Sequence, residues 1–165
     1  MNGAGPAGPK LLKIIRDQFA LDWDGIHGKA HWDRVRDNGL RLAEKTGADP
    51  RVIELFACLH DSKRVNNGRD PEHGQRAGLF ARELAGKAFA LPAESLELLV
   101  QACQGHSDGM LIADVTVATC WDADRLDLGR VGVRPQPERL CTPAARDPEL
   151  IEWAYRRSLA RKGGL

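Results

Sequence analysis

The sequence predicts an all-α fold, a single helical bundle of about seven helices. Apolar residues recur at intervals of three and four, for example at Leu96, Leu99 and Cys103, which places them on one face of a helix. No long stretch alternates apolar with polar residues as a half-buried strand does. At 165 residues the chain has the length of one domain, and a helical fold of this size buries enough surface to be stable without cross-links.

Asp-Pro dipeptides mark three of the predicted helix starts. At Asp49-Pro50, Asp70-Pro71 and Asp147-Pro148 the aspartate suits the N-cap, and the proline suits the first helical position, where its missing N–H costs nothing. Gly47 and Gly163 suit left-handed C-caps. The predicted helices lie near residues 10–20, 30–46, 50–60, 71–89, 93–106, 114–127 and 148–162.

Two segments fall outside this helical pattern. Residues 1–9 are rich in Gly and Pro and are predicted to form a flexible N-terminal tail, so that the single domain spans residues 10–165. Residues 129–146 form a long connection that contains several Pro and Arg residues. Loops of this length in compact domains are often functional.

Composition excludes several classes of protein. Apolar residues make up 42% and charged residues 28% of the chain, which is typical of a soluble globular protein. The formal charge of +1 gives no overall field that would attract nucleic acid or an anionic membrane. The N-terminus, MNGAGPAGPK, lacks the apolar core of a signal peptide, and no apolar run is long enough to span a bilayer. We therefore expect a cytoplasmic protein with no membrane partner.

The four cysteines are widely spaced along the chain. Cys58, Cys103, Cys120 and Cys141 show neither the CxxC spacing of a zinc ribbon nor the density of a secreted disulfide scaffold. We interpret them as buried free thiols.

A His-Asp pair is the first candidate for chemistry. His60-Asp61 follows the apolar segment VIELFACL, so both side chains are expected to emerge from a helix end into a cavity. A divalent ion binds imidazole nitrogen and carboxylate oxygen, and this pair can offer both. The other histidines are His27, His31, His73 and His106, and most of them lie near helix ends.

Three motifs in order resemble the HD-domain metal-dependent phosphohydrolase superfamily. They are HWDRV (31–35), LHDSKR (59–64) and DADRLDLG (122–129). The family pattern is a His, then His-Asp, then a distant Asp, each on a separate helix. The resemblance covers roughly residues 27–133 and implies a small helical bundle of the HD-domain type.

The resemblance implies one set of metal ligands and suggests a second. By the match to the family motifs, His31, His60, Asp61 and Asp124 hold a divalent ion, with Asp124 preferred over Asp122 and Asp127 because it directly precedes Arg-Leu. The cofactor is then one or two ions of Mn, Fe, Mg, Ni, Co or Zn.

Two further histidines match those of binuclear family members. Such members have two more histidines before the last Asp, and His73 and His106 are the candidates here. The family's Asp that corresponds to Asp61 bridges the two ions. The alternative for each histidine is a helix cap, or a residue that holds a metal ligand in its tautomer.

Basic residues near the motifs predict contacts with a phosphorylated substrate. Arg64 occupies the position that is commonly lysine in the family, and a guanidinium can bind phosphate oxygens in pairs. Lys63, Arg125 and His27 are the other predicted substrate-binding residues; for the arginines the alternative is an ion-paired surface position. For His27 it is a residue that supports a ligand, or a surface histidine.

The function implied is hydrolysis of a phosphoester in a small phosphorylated metabolite, a nucleotide in particular. In this hypothesis Asp61 is the catalytic residue, which binds metal and orients the attacking water. Two alternatives remain open from the sequence: an HD-type oxygenase with two irons, and a non-catalytic module that binds a nucleotide. Ligand identity alone does not separate them.

Overall fold

The computed structural model describes residues 5–160, and within that range the chain forms seven α-helices and two short 3-10 helices. The α-helices are α1 (Pro9–Gln18), α2 (Lys29–Thr46), α3 (Pro50–Leu59), α4 (His73–Leu84), α5 (Ala93–Gly105), α6 (Val115–Arg125) and α7 (Pro148–Leu159). The 3-10 helices are Leu128–Val131 and Pro137–Arg139. The described residues contain no strand, so the predicted all-α, single-domain fold is confirmed. No helix among them has both the length and the apolar character needed to cross a membrane.

Two of the three predicted Asp-Pro helix starts are confirmed. The Asp49 carboxylate accepts a hydrogen bond from the Arg51 N–H at 2.9 Å, and the Asp147 carboxylate accepts one from the Glu149 N–H at 2.9 Å. At the end of α2, Gly47 has a φ of 76° and provides the predicted left-handed C-cap.

The third predicted start, at Asp70-Pro71, is wrong. Helix α4 begins at His73 instead, because the Asp70 carboxylate is used elsewhere. It accepts from the Val65 N–H at 2.9 Å and from the Arg76 guanidinium at 2.6 and 2.7 Å. Asp70 therefore ties the turn after α3 to the start of α4.

Helix boundaries also differ from the prediction at the end of α4 and at the start of α1. Helix α4 ends at Leu84 rather than near residue 89, since Gly86 has a φ of 78° and turns the chain. Within the predicted tail, Ala7 packs against the core and α1 already begins at Pro9, while residues 1–4 lie outside the described range. Gly163 also lies outside it.

Helix α3 lies at the centre of the bundle. Its side chains from Val52 to Leu59 are almost all buried, and it packs against α2, α5 and α6. Helix α4 packs on α5 at one side. A smaller apolar cluster, which includes Leu126, Leu140 and Ile151, holds α7 against the end of α6 and the segment that follows it. The core thus fixes the relative positions of the helices that carry the family motifs.

All four cysteines are free, as predicted. Cys58, Cys103 and Cys120 are buried, whereas Cys141 is only half-buried.

Gly39 permits a close approach between three of these helices. A Cβ atom at this position would lie 2.5 Å from Ile53 Cγ2 and 3.3 Å from Ala123 Cβ, so α2 contacts α3 and α6 at van der Waals distance here. This approach positions His31 and Asp124, which lie on α2 and α6.

We expect Gly39→Ala to destabilise the protein. The added methyl group overpacks the contact at a cost of about 1–3 kcal/mol, against a gain in helix propensity of about 1 kcal/mol. Urea denaturation followed by circular dichroism measures the net change. Glu44→Ala, an exposed substitution on the same helix, is the matched control and should change stability by less than about 0.5 kcal/mol. A Gly39→Ala protein more stable than wild type would contradict the close approach.

Candidate metal centre

Four histidines and two aspartates converge between the helices of the bundle. His31 lies on α2, His60 and Asp61 directly follow α3, His73 begins α4, His106 follows α5, and Asp124 lies on α6. Their ligand atoms form two groups, each with all members within 4.8 Å of one another: His31, His60 and Asp124 in one, and Asp61, His73 and His106 in the other. All six predicted metal ligands are therefore brought together.

The first group has the spacing of a metal site. His31 Nε2 lies 3.1 Å from His60 Nε2 and 3.3 Å from Asp124 Oδ1, and His60 Nε2 lies 3.6 Å from the same oxygen. Asp61 Oδ2 is 3.5 Å from both imidazole nitrogens. Ligand atoms bound at ~2.0–2.2 Å in tetrahedral or octahedral geometry are roughly 2.8–3.6 Å apart. These atoms therefore fit around one ion.

The second group is equally compact and shares Asp61. His73 Nε2 lies 2.8 Å from His106 Nε2. Asp61 Oδ1 is 3.3 Å from the His73 nitrogen and 3.4 Å from the His106 nitrogen. One oxygen of Asp61 faces each group, which is the arrangement of a carboxylate that bridges two ions.

Hydrogen bonds at Nδ1 set the tautomer of the four histidines. Each Nδ1 faces an acceptor that has no proton to give: the carbonyls of Phe56 and Ala57 for His60, of Asp70 for His73 and of Cys103 for His106, and the carboxylate of Asp127 for His31. Nδ1 therefore carries the hydrogen, and the neutral ring presents a lone pair at Nε2. This is the state in which histidine binds a metal.

The Nε2 atoms that face each other at 2.8 and 3.1 Å are accommodated by a cation between them or by a proton on one of the two rings. Asp124 Oδ1 adds a further acceptor, because it is a buried oxygen without a hydrogen-bond partner among the described residues. Unsatisfied buried acceptors are costly, and here they converge on the same points. The donor set and its geometry therefore fit one divalent ion in each group.

The field at the site favours positive charge. Burial and the charge of Arg130 oppose protonation of His31, yet the neighbouring carboxylates of Asp124, Asp127 and Asp61 outweigh them and raise its pKa to about 9. Burial also works against ionisation of Asp61 and Asp124, but the surrounding histidines, His60 among them, hold the pKa of both carboxyls well below the usual range.

Asp127 contacts His31 at Nδ1, and the sequence did not predict this role. Its carboxylate is fully buried and accepts from His31 Nδ1 at 2.6 Å and from the Arg34 guanidinium at 2.6 and 3.1 Å. A carboxylate behind a metal-binding histidine orients the ring and makes the nitrogen a stronger ligand. The sequence signal for this role is that Asp127 lies three residues after Asp124, in the same motif.

His27 lies against Asp61 rather than against the open cavity. Its Nδ1 is 3.0 Å from Asp61 Oδ2, and its Nε2 is 3.4 Å from the Asn67 carbonyl. The side chain is buried and does not line the cavity described below. The geometry therefore favours a role for His27 in positioning Asp61, rather than the predicted contact with substrate.

The two predicted substrate-binding residues of the central motif, Arg64 and Lys63, lie in different places. Arg64 lines the cavity and donates from Nε to Asp61 Oδ1 at 3.2 Å. Lys63 points away from it: Nζ donates to Gln18 Oε1 at 2.7 Å and lies 4.4 Å from the centre of the Phe80 ring. Lys63 is therefore removed from the candidate substrate contacts, because its ammonium group already has partners outside the cavity.

A cavity of about 770 Å³ opens above the second histidine pair. Its volume is that of a small-molecule site. Asp61, His73, His106 and Asp124 line it, together with five arginines: Arg64, Arg125, Arg130, Arg134 and Arg139. Four of these arginines come from α6 and the segment after it, so the long loop predicted at 129–146 supplies much of one wall.

The fold and the site define a class: an all-helical protein with paired His/Asp groups at the bottom of a cavity. Comparison with solved structures agrees with this description. The chain is similar to the crystal structure of a predicted HD superfamily hydrolase from an uncultured Thermotogales bacterium, with a TM-score of 0.69 and 26% identity over 92% of this chain and 86% of that one. No protein-family model and no curated protein matches the chain.

The chain therefore has the fold of the HD superfamily, and the predicted resemblance to that superfamily is confirmed at the level of the fold.

We expect Asp127→Asn to weaken metal binding by about tenfold to a hundredfold, the usual effect of losing a carboxylate behind a metal-binding histidine. Equilibrium dialysis with Mn²⁺ or Co²⁺ measures the affinity, and circular dichroism checks folding. Asp37→Asn is the control, since Asp37 pairs with Arg157 at 2.7 Å, away from the candidate metal ligands. A folded Asp127→Asn protein with wild-type metal affinity would rule out the supporting role.

Proposed function

We propose that this protein is a metal-dependent phosphohydrolase that cleaves a phosphoester in a small phosphorylated metabolite, with nucleotides as the leading class. The observation that carries the proposal is the pair of His/Asp groups that share Asp61 at the bottom of an arginine-lined cavity. The likeness to a predicted HD superfamily hydrolase supports hydrolysis at the level of the superfamily.

Each residue has a role in this proposal. His31, His60 and Asp124 would hold one ion and His73 and His106 a second, with Asp61 as a ligand that both groups share. Bound divalent ions lower the pKa of a water toward neutrality and neutralise charge on the phosphoryl group. Asp61 also orients that water, because its two oxygens are held by His27 on one side and Arg64 on the other.

Arginines at the cavity favour an anionic ester as substrate. Arg64 lines the cavity next to Asp61, and Arg130 reaches within 4.0 Å of Asp124 Oδ1. Arg130 is held in place by hydrogen bonds of 3.0 Å to the carbonyls of Ile26 and Asp127. A guanidinium fixed in this way can bind phosphate oxygens in pairs and stabilise charge as the ester bond breaks.

We expect Asp61→Ala to abolish metal retention and hydrolysis together, because both ligand groups lose the carboxylate they share. Metal analysis of the purified protein, followed by phosphate release from a panel of phosphorylated metabolites with the metal found, measures both. Chelation of the wild-type protein should remove the same activity, and return of the metal should restore it. Asp37→Ala serves as the surface control.

Two outcomes would contradict this proposal. One is hydrolysis retained by Asp61→Ala at the wild-type rate. The other is iron in the purified protein with substrate-dependent oxygen consumption and no phosphate release, which would assign the site to an oxygenase.

A further inference from the structure

Two arginines of the cavity differ from the other three in having no carboxylate partner. Among residues 5–160, neither Arg125 nor Arg139 forms an ion pair within 4.0 Å. The Arg139 guanidinium also makes no hydrogen bond within the same range, although Glu138 is its neighbour in sequence. Both residues line the cavity, so two cationic side chains border it without a direct ion pair to a carboxylate of the described residues.

The other three arginines each lie beside a carboxylate. Arg64 pairs with Asp61 at 3.2 Å, Arg134 pairs with Glu152 at 2.7 Å, and Arg130 lies 4.0 Å from Asp124. Their charge is therefore at least partly balanced within the protein.

Backbone contacts hold Arg125 and Arg139 near each other. Arg125 Nη1 donates to the Arg139 carbonyl at 3.1 Å, and Nη2 donates to the Met110 carbonyl at 2.7 Å. The Arg125 side chain therefore joins the loop after α5 to the segment after α6 that carries Arg139. The Arg125 guanidinium thus lies beside the backbone of Arg139, and both residues border the same cavity.

The buried Asp122 anchors the segment after α6 that carries Arg139. Its buried carboxylate accepts from the Cys141 N–H at 2.6 Å, and from the Thr142 N–H and hydroxyl, both at 2.8 Å. The backbone just after Arg139 is thus fastened to α6. Arg139 therefore lies beside a segment whose backbone is held in place by hydrogen bonds.

Arg139 differs from the candidate metal ligands in its exposure. The ligand residues His31, His60 and Asp61 are buried, whereas Arg139 is exposed. Apolar side chains, among them Leu111 and Val133, also line the cavity and can contact the organic part of a substrate.

We propose that Arg125 and Arg139 form a second anion subsite, and that the preferred substrate is a phosphoester that carries a second phosphate group. This inference rests on the proposed phosphohydrolase function. The scissile phosphate binds at the metal groups with Arg64 and Arg130, and the second phosphate binds the arginine pair by charge-assisted hydrogen bonds.

Matched pairs of compounds test the subsite. The metal-loaded protein is assayed with adenosine 5′-monophosphate against adenosine 3′,5′-bisphosphate, and with fructose 6-phosphate against fructose 1,6-bisphosphate. We expect kcat/KM to favour the bisphosphate by about tenfold in at least one pair, the effect of one charge-assisted hydrogen bond. Arg139→Gln should bring that ratio close to one. Arg156→Gln, on the outer surface of α7, is the matched control and should leave the ratio at its wild-type value.

Calorimetry of the same four compounds separates the subsite from the reaction. Tighter binding of a bisphosphate than of its monophosphate, lost in Arg139→Gln, supports the subsite even if no compound is hydrolysed; absence of hydrolysis then counts against the proposed function alone. Equal affinity within both pairs, or a bisphosphate preference that Arg139→Gln retains in full, overturns the inference. Hydrolysis of mono- and bisphosphates at equal kcat/KM, with equal affinities, would overturn it and leave the proposed function standing.

Discussion

The buried carboxylate of Asp61 is the centre on which the rest of the site depends. Its two oxygens lie within 3.5 Å of the Nε2 atoms of four histidines, two on each side. A buried charge of this kind is stable only when it is paired and hydrogen-bonded. His27 and Arg64 supply part of that support from the protein itself. The cations that we propose between the histidine pairs supply the remainder.

The helical bundle is arranged so that this carboxylate is surrounded. Helix α3 is buried through most of its length and delivers His60 and Asp61 at its end, while α2, α4, α5 and α6 each supply a further residue. The close contact at Gly39 and the buried Asp127 both act on the same side of the site, since one sets the approach of α2 and the other the orientation of His31.

Most of the fold was predictable from sequence because helical periodicity is a local signal, and the convergence of the candidate metal ligands was implied by the resemblance of the three motifs to the HD-domain superfamily. The start of α4 was not predictable, since the partners of Asp70 at Val65 and Arg76 come from tertiary structure. Lys63 was misassigned for a similar reason: neighbours at a helix end point in different directions, and sequence does not say that Gln18 and Phe80 lie beside this one. Asp127 acts through its contact with the distant His31, which adjacency in the chain does not reveal.

The hydrogen bond between His31 and Asp127 joins residues 96 positions apart, and the candidate ligands come from five separate helices. No fragment of the chain that lacks one of these helices contains the whole set. A metal that binds only the assembled set would stabilise the native state as a whole by mass action. A partly unfolded chain would offer that metal no complete site. Occupancy of the centre would then add to the free energy of global unfolding, and an ion there would act as a structural cross-link as well as a cofactor.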